Sequence, residues 1–326
     1  NNYKKIMQRE NKPNWLKRLH PGLFGMSLGL LSLSFAWRKF AYVSNFSTQL
    51  MEMAFLSLGV FILCLLIVLW SIKTVLYPAA IKEKFLNPVL GPMMAYLPIS
   101  TLLAVALILP RFPEYVLFGY ALTILSLLIQ VIIAWRVVHL LSMGNIPTDQ
   151  VTPALYLPIV PGGLVGGAAL TAIGFPGFGY LVWGMGLGGW ALLEMRILHR
   201  LFAGPLPPHY RATIGIEMGP AAVSTITAIT IWPNIPVDVI LVGLGVASGP
   251  IFAVMTRWRS WTAVPFSFGF WSFAFPAAAT ASCVIEAVIR GGWPHEAAII
   301  AITLSTALIL FLLARTMILL IKRELY

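Results

Sequence analysis

Apolar stretches of about 20 residues, separated by short polar segments, follow one another along almost the whole chain. Ten can be delimited, with approximate limits at 21–40, 51–76, 89–109, 114–139, 153–173, 178–203, 212–233, 237–256, 262–289 and 295–320. About 20 apolar residues are what an α-helix needs to cross the hydrocarbon core of a bilayer. None shows the alternation that is typical of strands in a membrane β-barrel. The pattern therefore predicts an all-α, polytopic membrane protein with ten transmembrane helices.

The composition supports this interpretation and excludes a water-soluble domain. Of the 326 residues, 59% are apolar and only 10% are charged, whereas roughly 25% are charged in ordinary soluble domains. The two cysteines, Cys64 and Cys283, both lie inside apolar stretches. They allow neither a disulfide framework nor a cysteine metal cluster.

The distribution of basic residues predicts how the helices are oriented. The net charge of +11 comes from 22 Lys and Arg against 11 Asp and Glu. If the N-terminus is cytoplasmic, all but four of the basic residues fall on the cytoplasmic side, as the positive-inside rule requires. The exceptions are Arg38, Lys39, Arg111 and Arg290. Both termini are therefore predicted to be cytoplasmic, and the positive charge does not indicate a nucleic-acid partner.

The same observations predict the domain organisation. Residues 1–20 are interpreted as a basic cytoplasmic tail, 21–320 as a single ten-helix membrane domain, and 321–326 as a short cytoplasmic tail. The first apolar stretch is too long for a removable signal peptide and lacks a clear cleavage site. It is interpreted as a retained first helix.

Short loops on the non-cytoplasmic side predict that the helices pair as five hairpins. In three hairpins the first helix opens on a potential N-cap followed by proline. These openings are His20-Pro21-Gly22-Leu23, Asn87-Pro88-Val89-Leu90 and Thr152-Pro153-Ala154-Leu155. They lie 67 and 65 residues apart, which indicates an internal repeat of one hairpin.

Prolines divide the predicted helices into two classes. Those in the third, fifth, seventh and ninth helices are Pro98, Pro158, Pro161, Pro220 and Pro276, whereas the even-numbered helices contain only Pro250. A proline kinks a helix, and a membrane helix tolerates this where protein or water satisfies the freed carbonyl. The odd-numbered helices are therefore candidates for an inner ring. The alternative is that proline is simply frequent in membrane helices.

Few side chains point to catalysis. The five histidines lie at helix ends or in loops without metal-ligand spacing, so no enzyme activity, cofactor or metal site is expected. Two carboxylates, Glu217 and Glu286, lie inside membrane stretches, where an ionisable group is a candidate functional residue. Glu217 could titrate in a pore, or it could pair with a neighbouring arginine in a structural role.

Anions are the ligands that the predicted arrangement favours. All odd-numbered helices begin on the cytoplasmic side, so their partly positive N-termini would converge near the basic loops. Their central turns contain no Lys or Arg, so an anion would be attracted without being held tightly, as conduction requires. The ninth helix is rich in aromatic residues, of which one or two could lie in the lumen; they are Phe266, Phe268, Phe270, Trp271, Phe273 and Phe275.

Four motifs are similar to those of a known family. They are His20-Pro21-Gly22-Leu23-Phe24-Gly25, Tyr156-Leu157-Pro158, Arg211-Ala212-Thr213-Ile214-Gly215-Ile216 with Pro220-Ala221, and Phe266-Ser267-Phe268-Gly269. On these motifs the chain resembles the bacterial TehA-type tellurite-resistance and dicarboxylate transporter family, which includes the plant slow anion channels. The resemblance extends from about residue 19 to 320.

The resemblance implies both a fold and a function. Five hairpins would surround a quasi-fivefold pore, one in each protomer of a homotrimer in the bacterial inner membrane. The pore would conduct small inorganic or organic anions passively and would be closed by a phenylalanine. Carried onto this sequence, the gate is Phe268. Gly25, Gly269, Pro98, Pro158, Pro161 and Pro220 would line or kink the pore.

Three features depart from the family pattern: Pro161-Gly162-Gly163, Glu217 and Pro276. A carboxylate in the pore would repel anions if ionised, or couple transport to protons if it titrates. Proton-coupled transport of dicarboxylates or oxyanions such as tellurite is therefore the alternative function. A membrane scaffold is a third interpretation, for which the sequence offers no positive feature.

Overall fold

The computed structural model describes residues 15–322, whose regular secondary structure is entirely helical, with no β-strand in that range. The parts of the predicted tails at 1–14 and 323–326 lie outside the described residues. The ten longest α-helices of the described range are α1 (Phe24–Phe40), α2 (Gln49–Leu76), α3 (Tyr96–Ile108), α4 (Val116–Ser142), α5 (Val160–Ala172), α6 (Pro176–Phe202), α7 (Gly219–Ile231), α8 (Val237–Thr256), α9 (Ala274–Gly291) and α10 (His295–Ile321).

Shorter helices connect or extend these ten. Four are α-helical: Trp15–Arg18, Pro78–Leu86, Leu90–Met93 and Trp258–Thr262. The 3-10 segments are Pro21–Leu23, Leu109–Arg111, Pro113–Tyr115, Thr148–Gln150, Pro153–Tyr156, Pro208–Met218 and Phe268–Phe273.

Between residues 15 and 322, nine helical segments, which contain α2 to α10, are long and apolar enough to cross a membrane. Helix α1 has 17 residues, which corresponds to about 26 Å at 1.5 Å per residue. The 3-10 turn Pro21–Leu23 extends it to the predicted start of the first span. The prediction of an all-helical, polytopic membrane protein is therefore confirmed.

The long helices form an inner and an outer layer. In the spans that contain α3, α5, α7 and α9, between 67% and 89% of the residues are buried, against 17–33% in the spans of α2, α4, α6, α8 and α10. Most of α1 is buried as well. The five odd-numbered helices contact one another in the order α1, α3, α5, α7, α9 and back to α1. This is the inner layer that the proline pattern predicts.

Each even-numbered helix packs on the odd-numbered helix that precedes it, so the layers are joined as hairpins. The closest example is α5 against α6, where Gly163 faces the backbone of Gly186. A Cβ atom on Gly163 would lie 2.7 Å from the Gly186 Cα, which is too short for any side chain. Small residues therefore let these two backbones touch, as in many membrane helix pairs.

The inner segments begin irregularly and become α-helical at their prolines. Pro161 is the second residue of α5, Pro220 the second of α7, and Pro98 and Pro276 the third residues of α3 and α9. Proline is tolerated in a first helical turn because its missing N–H would have no partner there. These prolines therefore mark the change to regular helix.

The predicted ninth stretch, 262–289, begins too early. Residues 263–267 form a loop, and the 3-10 segment begins only at Phe268. Apolar content could not show this, because the loop residues Val264 and Phe266 are as apolar as those of the helix.

Two ion-pair groups hold the end at which the odd-numbered helices finish. Glu52 contacts Arg38 at 2.8 Å and Arg111 at 2.6 Å. Glu286 contacts Lys39 at 2.7 Å and Arg290 at 3.7 Å. The four basic residues that break the predicted charge asymmetry are thus all paired with buried carboxylates. For Glu286 this geometry supports the structural interpretation.

Candidate anion pathway

A small cavity lies between the inner helices. Its lining comes from four of the five odd-numbered segments and includes the rings of Tyr96, Tyr156 and Phe275. Its volume of about 20 Å³ has room for roughly one water molecule. A passage along the axis of the ring is therefore closed at this level by three aromatic side chains.

The cavity offers almost no polar contact to an ion. Its lining has neither Lys nor Arg. The hydroxyl of Ser272, which lines it, is already used, because it donates a hydrogen bond to the Ala212 carbonyl at 2.7 Å. Pro161, Pro220 and Pro276 also line it, and a proline has no N–H to donate. An anion here would lose its hydration without gaining donors, which makes the cavity an apolar barrier.

Phe268 lies towards the predicted cytoplasmic end of this passage. It is the first residue of Phe268–Phe273, is half-buried, and its ring centroid is 6.3 Å from that of His20. It is not among the residues that line the small cavity. Phe275 comes seven positions later in the chain. With a rise of 2.0 Å per residue in the 3-10 segment and 1.5 Å in the α-helix, the two rings are roughly 13 Å apart along the helix axis.

The two glycines predicted beside the pore allow close helix packing. A Cβ atom on Gly25 would lie 3.1 Å from the Trp271 Cβ, and one on Gly269 would lie 2.8 Å from the Ala212 Cβ. Both positions join neighbouring members of the inner ring. Of the predicted prolines, Pro161 and Pro220 line the small cavity, whereas Pro98 and Pro158 do not.

Basic residues surround the entrance beside Phe268. Burial, followed by the positive charges of Lys84 and Lys73, lowers the pKa of His20 to about 4. Its Nδ1 accepts a hydrogen bond from the Gly22 N–H at 2.9 Å, which requires the unprotonated nitrogen. Burial also lowers the pKa of Lys84. Neutral His20 therefore lies near half-buried Lys84 and near Lys73, which is buried and donates a hydrogen bond to the Leu19 carbonyl at 3.0 Å. The positive charge of these lysines favours anions at this end.

The side chains of the six aromatic residues in the ninth segment lie in three different environments. Phe266, Phe270 and Phe273 line a large apolar groove of about 790 Å³ outside the ring, among residues of α8, α9 and α10. Trp271 is buried against Gly25 and donates a hydrogen bond to the Thr316 hydroxyl at 3.0 Å. Phe275 lines the small central cavity, and Phe268 lies beside His20 at the start of the segment.

Comparison with known proteins identifies the family. Residues 18–318 match the model of the SLAC1 family, described as voltage-dependent anion channels. The chain belongs to this family. The tellurite resistance protein TehA homolog of Haemophilus influenzae is 29% identical to it over 209 residues. That alignment covers 63% of this chain and 62% of the relative, which is less than two thirds of its length. The resemblance drawn from the sequence motifs is thereby confirmed.

The SLAC1 family is a family of channels and transporters and not of enzymes. The chain is a multi-pass membrane protein of the anion-channel family, and its ligands are expected among anions. The small cavity, the entrance residues and the aromatic rings between them form its candidate pathway.

Sequence reasoning missed several residues of this site. Tyr96 carried no recognisable signal, because an aromatic residue in an apolar stretch usually faces lipid or the protein core, and Phe275 was not distinguished from the other aromatic residues of the ninth helix. Glu194 was not among the candidate residues, and its side chain accepts hydrogen bonds from Tyr156 and Trp190. The Arg211 guanidinium donates to the Leu206 carbonyl at 2.9 Å, and Glu217 forms no ion pair within residues 15–322. The expected arginine partner of Glu217 is therefore not found in that range.

Proposed function

We propose that this protein is an anion channel that conducts small anions, chloride among them, passively along the axis of the inner ring. The proposal rests on one observation: five buried helices contact one another in a closed ring around an apolar constriction. The chain belongs to the voltage-dependent anion channel family. Basic residues lie at one entrance, and no fixed cation lies in the constriction. Such a path attracts anions without retaining them.

The proposal includes the architecture that the family resemblance implies. All ten long helices cross the bacterial inner membrane, α1 included, and the five hairpins surround a quasi-fivefold pore. Both termini are cytoplasmic, and three protomers associate with one pore each. Helix α1 supports this count because it is buried within the inner layer and contacts both α3 and α9.

The proposal assigns closure to aromatic side chains in series. Phe268 is the gate at the predicted cytoplasmic entrance, and the rings of Tyr96, Tyr156 and Phe275 narrow the passage behind it. An anion must lose water at both places. Conduction would then require movement of these rings.

The test is a reversal-potential measurement on the purified protein in liposomes or planar bilayers with a chloride gradient. We expect a potential close to the chloride equilibrium value, and we expect it to be unchanged when a pH gradient is imposed. Empty liposomes carried through the same reconstitution give the background. Uphill anion uptake driven by a pH gradient would contradict passive conduction and would favour proton-coupled transport.

A further inference from the structure

Two carboxylates and a tyrosine meet in a crevice beside the inner ring. A cavity of about 230 Å³ is lined by Glu194 of α6, Glu217 of the segment Pro208–Met218, and Arg257 at the end of α8. Its other lining residues carry no charge. The Tyr156 hydroxyl and the Trp190 indole N–H both donate hydrogen bonds to Glu194 Oε2.

Glu217 is the unusual member of this group. Its side chain is buried, and neither of its carboxyl oxygens makes a hydrogen bond of normal geometry within residues 15–322. A buried ionised carboxylate without a partner is strongly disfavoured. Glu217 therefore needs a proton or a counter-charge.

The charged and titratable groups that face Glu217 are few. They are Glu194 from α6, Tyr156 from Pro153–Tyr156 and Arg257 from the end of α8. Arg257 donates a hydrogen bond to the Leu201 carbonyl at 2.7 Å and forms no ion pair among the described residues. One arginine charge can balance only one of the two carboxylates. One bound proton would balance the other.

Tyr156 connects this crevice to the candidate pathway. Its side chain is completely buried, lines the small central cavity, and donates its hydroxyl to Glu194. Ile216, the neighbour of Glu217 in the chain, lines the central cavity as well. The charge of the carboxylate pair is therefore separated from the passage by about one side chain.

We propose that Glu194 and Glu217 share a single proton, and that release of this proton places a second negative charge beside the central cavity and slows anion passage. The pair is thus a proton-binding site that regulates conduction, and the proton is not carried across the membrane. The effect on conduction rests on the proposed function, whereas the shared proton does not.

The first experiment measures chloride conductance of the reconstituted protein as a function of pH. We expect conductance to fall by about tenfold as pH rises, which is the effect of a unit charge roughly 10 Å away at an effective dielectric constant of about 20. Glu217→Gln is expected to keep the high conductance at alkaline pH. Tyr156→Phe removes a donor to the ionised pair, so it should move the midpoint to higher pH by about one unit.

Glu296→Gln is the matched control, because Glu296 is an exposed carboxylate in the first turn of α10, outside the crevice. It should leave the pH profile unchanged. If wild type conducts chloride but Glu217→Gln retains the full pH dependence, the inference is overturned while the channel function stands.

A second experiment does not depend on conduction. Infrared spectroscopy of the protein in lipid detects the carbonyl stretch of a protonated carboxylic acid. We expect one such band near neutral pH that disappears in Glu217→Gln and in Glu194→Gln and persists in Glu296→Gln. Absence of the band in wild type would overturn the shared proton even if the channel conducts. Absence of conduction with the band present would overturn the channel function alone.

Discussion

The proposed gate predicts that Phe268→Ala raises anion conductance. The Phe268 ring is half-buried at the entrance, with its centroid 6.3 Å from that of neutral His20. Truncation to alanine removes the ring and leaves the 3-10 backbone unchanged. The two lysines near His20 remain to attract anions, so the change affects the obstacle and not the electrostatic attraction.

The size of the effect follows from dehydration. The small cavity behind the gate, of about 20 Å³, has room for roughly one water molecule. An ion that passes with several waters needs a severalfold larger space, and without them it pays at least several kcal/mol. If the Phe268 ring is the higher of the two barriers and its removal restores about 2 kcal/mol of hydration there, conductance rises about thirtyfold, since each 1.4 kcal/mol is worth about tenfold in rate.

The assay is single-channel or macroscopic current from purified protein in planar bilayers under symmetrical chloride. Phe266→Ala is the matched control, because that ring stacks on Phe270 at 5.7 Å and lines the groove outside the ring of inner helices. It should leave conductance unchanged. Phe275→Ala widens the constriction behind the gate, and combined with Phe268→Ala it should give the largest current.

Equal currents from wild type and a well-expressed Phe268→Ala protein would refute the gate. If conductance rises strongly in Phe275→Ala and not in Phe268→Ala, the group that closes the passage lies in the small cavity and not at the entrance. The two outcomes are separable because about 13 Å of helix lies between the two rings.

Three further predictions concern the architecture and its stability. A reporter that fluoresces only in the cytoplasm should give signal when fused after Tyr326, which lies outside the described residues; a dark full-length fusion would contradict the predicted orientation. Cross-linking in the membrane should stop at trimers, and a limit at dimers would remove that part of the proposal. His20→Asn keeps a capping acceptor but cannot titrate. The pKa of His20 is about 4 in the folded protein against 6.5 in the unfolded chain, so this group lowers the stability of the wild type by about 3 kcal/mol as pH falls from 6.5 to 4. The melting temperature of the variant should therefore fall less on acidification.

The helices were predictable because the membrane imposes a single rule on them. The predicted limits 21–40 and 153–173 agree with the observed segments Pro21–Phe40 and Pro153–Ala172 within one residue. Each span must satisfy its own backbone hydrogen bonds in lipid, so apolar length alone locates it. The proline pattern also separated the buried helices from the exposed ones.

The irregular starts of the inner segments were not predictable from apolar length. The stretch 212–233 reads as one helix, yet it is 3-10 from Pro208 to Met218 and α-helical only from Gly219. Both forms bury the same apolar side chains, so hydropathy does not distinguish them. The proline at position 220 was the available signal, since proline is favoured in the first turn of a regular helix.

The candidate site was predictable only where a motif carried it. Phe268 and Gly25 came from the family resemblance, but Glu194 and Glu217 are far apart in sequence and meet only through the packing of Pro208–Met218 on α6 and α8. A sequence read alone shows two isolated carboxylates, each with a nearby arginine as the obvious partner. In the structure the Arg211 guanidinium donates to the Leu206 carbonyl instead, and Glu194 accepts hydrogen bonds from Tyr156 and Trp190.

The charge of buried carboxylates is therefore balanced differently in the two halves of the molecule. At the end where the odd-numbered helices finish, Glu52 and Glu286 each contact two basic residues, so every buried carboxylate there is balanced by protein. At the opposite end the two carboxylates of the crevice face one arginine, and the missing positive charge must come from solution. Fixed pairs resist changes of pH, whereas a pair completed by a proton responds to them. Sensitivity of the proposed channel to pH should therefore reside in the half that contains Glu194 and Glu217, beside the ring of Tyr156 that lines the central cavity.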